Sequence, residues 1–155
     1  MDIKIIKTID TDILAKLNKG VQEIHYNIEP DIFKPYSEEK MKELFDELIK
    51  DESTSAYVIY YKESIAGYMV LCQYDYEENA FRNKYLAIYI EQICVNEEFK
   101  GKGIGKALVD FAKEYAKKLD INRVEMNYWS KNSNSGEFFI SQGFETFNER
   151  LTFKI

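Results

Sequence analysis

The sequence predicts a mixed α/β fold in which helices cover both faces of one sheet. Apolar residues recur at helical spacing in four stretches, and runs rich in isoleucine, valine and tyrosine, typical of strands, lie between them. The two patterns interleave in the order β-α-α-β-β-β-α-β-α-β. No internal repeat or linker interrupts them, so residues 1–155 are predicted to form a single domain.

The N-terminal part is predicted as one strand followed by two helices. Isoleucine-rich residues 2–9 form the strand, and Asp10 or Thr11 can cap a helix that spans about 11–26. The loop after this helix contains both prolines of the chain, so it cannot continue the helix. Ser37 then caps a second helix with its own apolar stripe.

Strand patterns dominate from residue 56 onward. Residues 56–61 and 65–72 flank a short turn, which predicts an antiparallel hairpin, and Tyr85–Val95 is predicted as the central strand. The remaining predicted elements are a helix after a glycine-rich loop, a strand at 122–129, a helix at 133–142 that Gly143 ends, and a last strand at 144–153.

The composition limits the classes of ligand and partner that we expect this protein to bind. A net charge of −6 argues against a nucleic-acid surface and favours cationic or amine-bearing ligands. Cys72 and Cys94 lie inside apolar runs without metal-ligand spacing, so we expect buried free thiols and no metal. The first residues lack a signal peptide's apolar region and no apolar run is long enough to span a membrane, so the expected location is cytoplasmic, without membrane contact.

One stretch indicates an anion site. Glycine stands at positions 101, 103 and 105, between the end of the central strand and an apolar-periodic helix. Successive backbone N–H groups can close on a phosphate there, and the helix dipole adds its positive end. The spacing fits neither the dinucleotide fingerprint, because Lys106 and Leu108 stand where glycine is needed, nor the triphosphate loop, because Ala107 replaces its Ser or Thr.

The remaining pattern, Lys100-x-x-Gly103-x-Gly105, resembles the pyrophosphate loop of the GCN5-related N-acetyltransferase (GNAT) family, with Lys100 in place of the usual Arg or Gln. The resemblance covers nearly the whole chain and is sharpest from about Glu91 to Phe144. It implies the GNAT acyltransferase fold and an acetyl-CoA co-substrate. The residues implied to hold its pyrophosphate are Lys100, Gly101, Lys102, Gly103, Ile104, Gly105 and Lys106.

The family resemblance also assigns roles to the strand before the loop. In the family this strand parts from its neighbour, which implies that backbone groups of Ile93, Cys94 and Val95 pair with the pantetheine arm. The Val95 amide is the implied donor to the thioester oxygen. Glu91 is a carboxylate in an apolar strand, where desolvation would raise its pKa toward the range useful for a base. It matches the glutamate that serves as general base in related members.

A second stretch, Trp129 to Phe144, resembles the family segment that lines the other side of coenzyme A. Asn132 matches a ligand-contacting asparagine and can equally cap a helix. Phe139 occupies the position where many members have a tyrosine that acts as general acid, and phenylalanine cannot donate a proton. Tyr128, Tyr89 and Tyr36 remain alternative donors.

The acceptor side is marked by few residues. In this fold the first two helices and their connection form the acceptor wall, so His25, Phe33 and Tyr36 are candidate substrate contacts. His25 can equally be a surface or capping residue. The implied acceptor is a primary amine of a small molecule or peptide, and a homodimer is a further possibility that the family resemblance raises.

Three candidate functions follow. The first is an N-acetyltransferase that moves an acetyl group directly from acetyl-CoA to an amine, because no residue is placed as a covalent nucleophile beside a base. The second is a non-catalytic acyl-CoA-binding sensor on the same fold, which Phe139 motivates. A nucleotide-phosphate binding protein without acyl transfer is a third reading, which lacks its motif residues.

Overall fold

The computed structural model describes residues 2–155, and its elements agree in type with most of the predicted ones. In chain order they are β1 (Ile3–Thr8), α1 (Thr11–Ile28), α2 (Glu38–Leu48), β2 (Thr54–Tyr61), β3 (Ser64–Tyr76), β4 (Tyr85–Val95), α3 (Ile104–Lys118), β5 (Val124–Glu125) and α4 (Ser133–Ser141). The predicted helix caps are also found. The side chain of Asp10 accepts from the Ile13 N–H, and that of Ser37 from the Lys40 N–H.

The five strands form one sheet in the order β1-β2-β3-β4-β5. The first four strands are antiparallel neighbours, and β5 pairs with β4 in parallel. Because neighbouring strands in sequence are neighbours in space, this connectivity needs one crossover, which α3 supplies between β4 and β5. The mixed α/β fold predicted from the sequence is confirmed.

The sheet separates two apolar cores. On one face, α1 and α2 pack on residues such as Tyr68, Val70 and Cys72, with Leu14 and Phe45 fully buried. On the other face, α3 packs through residues such as Leu108 and Val109 against Met69, Leu71 and Ile88. Helices therefore cover both faces, as the periodicity predicts. None of the helices within residues 2–155 is long and apolar enough to cross a membrane.

The C-terminal part differs from the expectation. The predicted strand 122–129 is reduced to Val124–Glu125, and the predicted strand 144–153 is not found, since residues 144–155 contain no helix or strand. Leu151, Phe153 and Ile155 alternate with polar residues and are largely exposed. An alternating pattern makes a strand only where a sheet edge is available to pair with it, and no strand within residues 2–155 pairs with this segment.

A bulge interrupts the pairing of the two central strands. Val70 of β3 lies opposite Gln92, whereas Leu71 lies opposite Ile90, so Glu91 is the extra residue on β4. Its carboxylate accepts from Tyr74, and the neighbouring Gln92 side chain accepts from Tyr68. Both tyrosines belong to the face covered by α1 and α2. The bulge therefore turns two consecutive side chains of β4 to the same face of the sheet.

The close approach of β3 and β4 can be tested at Gly67. A Cβ atom at this position would overlap the carbonyl oxygen of Cys94, so Gly67→Ala must push the strands apart. We expect it to lower the free energy of unfolding by about 1–3 kcal/mol, measured by urea denaturation. The matched control is Gly20→Ala in the exposed part of α1, where no atom lies within 4 Å, and it should raise stability by about 0.5–1 kcal/mol. Equal stability of the two variants would contradict the strand packing described above.

Candidate active site

Strands β4 and β5 part soon after they meet. They pair only at Ile88 with Val124 and at Tyr89 with Glu125, where β5 ends. Residues 90–95 of β4 have no strand partner on that side, while β3 pairs with the opposite edge. An unpaired strand edge presents N–H and C=O groups that an extended ligand can bind.

The hydrogen-bond pattern shows which groups face this open edge. The Asn96 N–H donates to the Ala66 oxygen of β3 at 2.8 Å. Because successive residues of an antiparallel strand direct their backbone groups to opposite sides, Cys94 also faces β3, whereas Ile93 and Val95 face the open edge. The backbone of Cys94 was expected to be free to pair with the pantetheine arm. This expectation is not met, because the Cys94 backbone groups face β3.

The glycine loop between β4 and α3 is rich in free donors. Gly101 and Gly103 have φ values of +74° and +79°, a left-handed conformation that glycine adopts without steric cost. Within residues 2–155, no acceptor lies in hydrogen-bond range of five backbone N–H groups of this segment, which belong to Gly101, Gly103, Ile104, Gly105 and Lys106. Free amides at the positive end of a helix suit a phosphate group.

The lysines of the loop are engaged with other partners. Lys100 pairs with Glu97 and Lys106 with Asp110, both as exposed ion pairs on the surface. The ammonium group of Lys102 lies 5.0 Å from the ring centroid of Phe99. Exposed ion pairs contribute about 0–1 kcal/mol and rearrange easily. The backbone amides are therefore the fixed donors of this segment, and the lysines add mobile positive charge around them.

Helix α4 lies against the beginning of α3. A Cβ atom on Gly105 would lie 3.0 Å from the ring of Phe138, so this glycine allows the two helices to approach closely. The side chain of Asn132 accepts from the Ser135 N–H at 3.4 Å, which caps α4. Phe139 is buried and packs edge-on against Phe138. Asn132 and Phe139 also line the cavity that lies beside the open edge of β4.

Glu91 differs from its predicted environment. The expected buried carboxylate is not found, because Glu91 is exposed at the bulge of β4. The Tyr74 hydroxyl donates to its Oε2 at 3.0 Å, and the ring of Tyr74 stacks on Tyr89 at 4.8 Å. Burial first, and then the hydrogen bond to Glu91, raises the pKa of Tyr74, which keeps this hydroxyl protonated as a donor. The carboxylate is thus held in place by one side-chain hydrogen bond and remains open to water.

A cavity of about 350 Å³ connects the two faces of the sheet where β4 and β5 part. It brings together predicted site residues from distant parts of the chain, which are His25, Phe33, Glu91, Ile93, Asn132 and Phe139. A wider depression of about 880 Å³ lies between Ile9 and α2, open to solvent and remote from these residues. The smaller and less open cavity is therefore the better candidate for acyl transfer.

Three aromatic rings of the cavity lining contact one another. The His25 ring stacks on Phe33 at 4.7 Å between centroids, and Phe33 meets the Trp129 ring edge-on at 4.8 Å. Burial lowers the pKa of His25, so the ring is neutral near pH 7. Tyr36 does not reach the cavity lining, because its hydroxyl donates to the Ala15 carbonyl at 2.9 Å and holds the loop on α1.

A buried polar cluster beside Glu91 was missed from the sequence. The Tyr68 hydroxyl donates to the Gln92 side chain at 2.7 Å, and the Asn18 amide nitrogen donates to the Tyr68 hydroxyl at 2.8 Å. Asn18 is 3% exposed, and within residues 2–155 no donor reaches its Oδ1 atom. Two signals could have found the cluster. Asn18 interrupts the apolar stripe of α1 four residues after Leu14, and Glu91 and Gln92 break the alternation of an apolar strand.

The sequence matches a protein family profile and several curated proteins. The profile of the acetyltransferase (GNAT) family matches residues 21–144. The chain is 32% identical over 113 residues to an uncharacterized N-acetyltransferase of Shouchella clausii, which covers 69% of this chain and 62% of that protein. The alignments with four curated relatives span between 25% and 66% of the lengths of those proteins.

Solved structures show the same fold. The tetramutant of the BH1408 protein from Bacillus halodurans is similar over 100% of both chains, with a TM-score of 0.90 and 22% identity. AAC(6')-Iy in complex with the bisubstrate analogue CoA-S-monomethyl-acetylneamine is similar over 100% of this chain and 99% of that chain, with a TM-score of 0.69 and 11% identity. With a family profile matched over most of its length, the chain belongs to the GNAT acetyltransferase family.

Proposed function

We propose that this chain transfers the acetyl group of acetyl-CoA directly to a primary amine. The observation that carries the proposal is the open edge of β4 beside a loop with five free amides. An extended arm that ends in a pyrophosphate fits this arrangement, since the edge offers strand-like hydrogen bonds and the loop offers anion donors. The structural neighbour bound to a coenzyme A analogue supports the same choice of donor.

The donor would be held mainly by the backbone. The free N–H groups of residue 101 and of residues 103–106 would bind the pyrophosphate, and the backbone of Ile93 and Val95 would pair with the pantetheine arm. Asn132 and Phe139 line the cavity opposite this edge. Because main-chain groups supply most of the contacts, Lys100 can stand where Arg or Gln is common without loss of the site.

The transfer needs a stabilised oxyanion and a deprotonated amine. The Val95 N–H would donate to the thioester oxygen as negative charge develops on it. The amine nitrogen forms a bond to the carbonyl carbon, the carbon–sulfur bond breaks, and the electron pair leaves with sulfur. Glu91 would take the amine proton through a relay of water molecules, because four strand residues separate it from Val95 by up to roughly 13 Å, too far for direct contact. Its exposure at the bulge allows such a water to reach it.

The environment of Cys94 favours direct transfer over an acetyl-enzyme. Its side chain is buried beside α1, with Sγ 3.6 Å from the Leu17 carbonyl oxygen. Burial raises the pKa of this thiol to about 11, so the thiolate needed for nucleophilic attack is scarce at neutral pH. The single histidine of the chain stacks on Phe33 and makes no contact with this sulfur.

The leaving thiolate does not depend on Phe139. Coenzyme A leaves as a thiolate, and a thiol pKa of about 8.5 makes this thiolate a good leaving group near neutral pH. Protonation by water therefore suffices. Among the three tyrosines considered as donors, Tyr128 is the one that lines the cavity, while Tyr36 donates to Ala15 and Tyr89 stacks on Tyr74. Of these three tyrosines, we therefore propose Tyr128 as the one that could help to protonate the leaving thiolate.

Replacement of Glu91 tests the proposed base. Glu91→Gln keeps the shape and the hydrogen bond from Tyr74 but cannot take a proton, so kcat should fall by about 10²–10⁴-fold. The KM for acetyl-CoA should stay within about twofold, because Glu91 does not hold the donor. The measurement is release of free thiol from acetyl-CoA with a panel of primary amines. Glu63→Gln, in the exposed turn between β2 and β3, is the matched control and should behave as wild type.

Three outcomes would count against parts of this proposal. Wild-type turnover by Glu91→Gln across the pH range would remove Glu91 as the base. A burst of acetyl-enzyme before steady turnover would overturn direct transfer. Tight binding of acetyl-CoA with no turnover of any amine would instead establish the acyl-CoA-binding sensor.

The role of the glycine loop in binding acetyl-CoA can be tested with two glycines that have similar positive φ values. Gly103 and Gly143 have φ values of +79° and +87°, and neither has an atom within 4 Å of a built Cβ. Replacement by alanine should cost each variant about 1–2 kcal/mol of stability. Only Gly103→Ala should also raise the KM for acetyl-CoA, by about tenfold, because relief of its strain rotates the amides that must converge on phosphate. An equal rise in Gly143→Ala would show that the effect is global.

A further inference from the structure

The cavity that would receive the amine contains very little charge. Glu91 is the one ionised side chain of its lining among the described residues 2–155, and no lysine or arginine contributes to it. The other polar groups are neutral amides, hydroxyls and the His25 ring. Burial lowers the pKa of that ring, so it supplies no positive charge near pH 7.

The basic residue closest in sequence to the cavity is committed elsewhere. Lys131 stands two residues after Trp129, and its ammonium group pairs with Glu29 at 2.7 Å. The same group lies 3.4 Å from the Ile28 carbonyl oxygen. The Glu29 side chain is 16% exposed and that of Lys131 is 59% exposed, so the ion pair lies at the protein surface. Lys131 is not part of the cavity lining, and its pairing with Glu29 offsets its charge, so no lysine of the described residues 2–155 faces the cavity.

The walls of the cavity are mainly aromatic and aliphatic. Phe33 and Trp129 contact each other edge-on and together form one aromatic wall of the cavity. Val21, Met41 and Met126 add aliphatic surface. An aromatic or aliphatic body would gain burial against these walls, while an anionic group would lose its hydration without a counter-ion and would face the charge of Glu91.

We propose that the acceptor is a primary amine on an apolar, preferably aromatic body, without a carboxylate or phosphate group. This specificity rests on the proposed function, since it concerns the second substrate of the same site. The ammonium group approaches Glu91, which later takes its proton, and the apolar body packs against the joined rings of Phe33 and Trp129. Free amino acids and phosphorylated amines are therefore excluded by charge rather than by size.

Matched amines test the charge argument. 2-Phenylethylamine and phenylalanine share a ring and a primary amine and differ by one carboxylate. We expect kcat/KM to be at least about tenfold higher for 2-phenylethylamine. Phenylalaninamide, in which the carboxylate is masked as a neutral amide, should recover most of the loss. Equal or higher kcat/KM for phenylalanine would overturn the proposed specificity.

Two substitutions test the aromatic wall. Trp129→Ala should raise the KM for 2-phenylethylamine by about fivefold or more and change the KM for acetyl-CoA much less, because this ring contacts Phe33 on the acceptor side. Phe81→Ala is the control, since Phe81 is 89% exposed and lies outside the cavity. An unchanged amine KM in Trp129→Ala would overturn the placement of the acceptor body.

The same assay separates this specificity from the proposed function. Efficient acetylation of phenylalanine or of a phosphorylated amine would show that acetyl transfer occurs and that the charge argument is wrong. Failure to acetylate any amine, with acetyl-CoA binding demonstrated by calorimetry, would overturn the proposed transfer and the acceptor class together.

Discussion

The parting of β4 from β5 is the feature on which the rest of the site depends. Had the two strands stayed paired to Val95, the backbone of Ile93 and Val95 would be saturated by sheet hydrogen bonds. The bulge at Glu91 accompanies the separation, since an extra residue increases local twist and bends the strand that carries it. The bulge in β4 thus coincides with the unpaired edge of this strand and with the cavity beside it. It also turns the Glu91 side chain toward that cavity.

Much of this arrangement could be predicted from the sequence because it depends on local physical signals. Alternating glycines before an apolar helix predict an anion site wherever they occur, and positive φ values at Gly101 and Gly103 explain why glycine is used there. Helix caps such as Asp10 and Ser37 are equally local. The family resemblance added the roles of Ile93 and Val95, which no side-chain pattern could have shown because backbone groups carry them.

Other features depend on long-range packing, and the sequence could not resolve them. The alternating residues 144–153 have the pattern of a strand, yet no edge of the sheet pairs with them. Glu91 was expected to be buried because its neighbours are apolar, but the bulge exposes it. Tyr36 lies on the predicted acceptor segment and is bound to Ala15 instead. In each case the partner that decides the environment is distant in sequence.

The central claim is that acetyl-CoA binds along the open edge of β4 and over the adjacent loop. Amide hydrogen exchange followed by nuclear magnetic resonance tests it residue by residue. Addition of acetyl-CoA should slow exchange at Val95, at residue 101 and at residues 103–106, and should leave Asn96 unchanged, because its N–H already donates to Ala66. Saturation with acetyl-CoA without new protection at these amides, or with protection confined to other parts of the chain, would contradict the account.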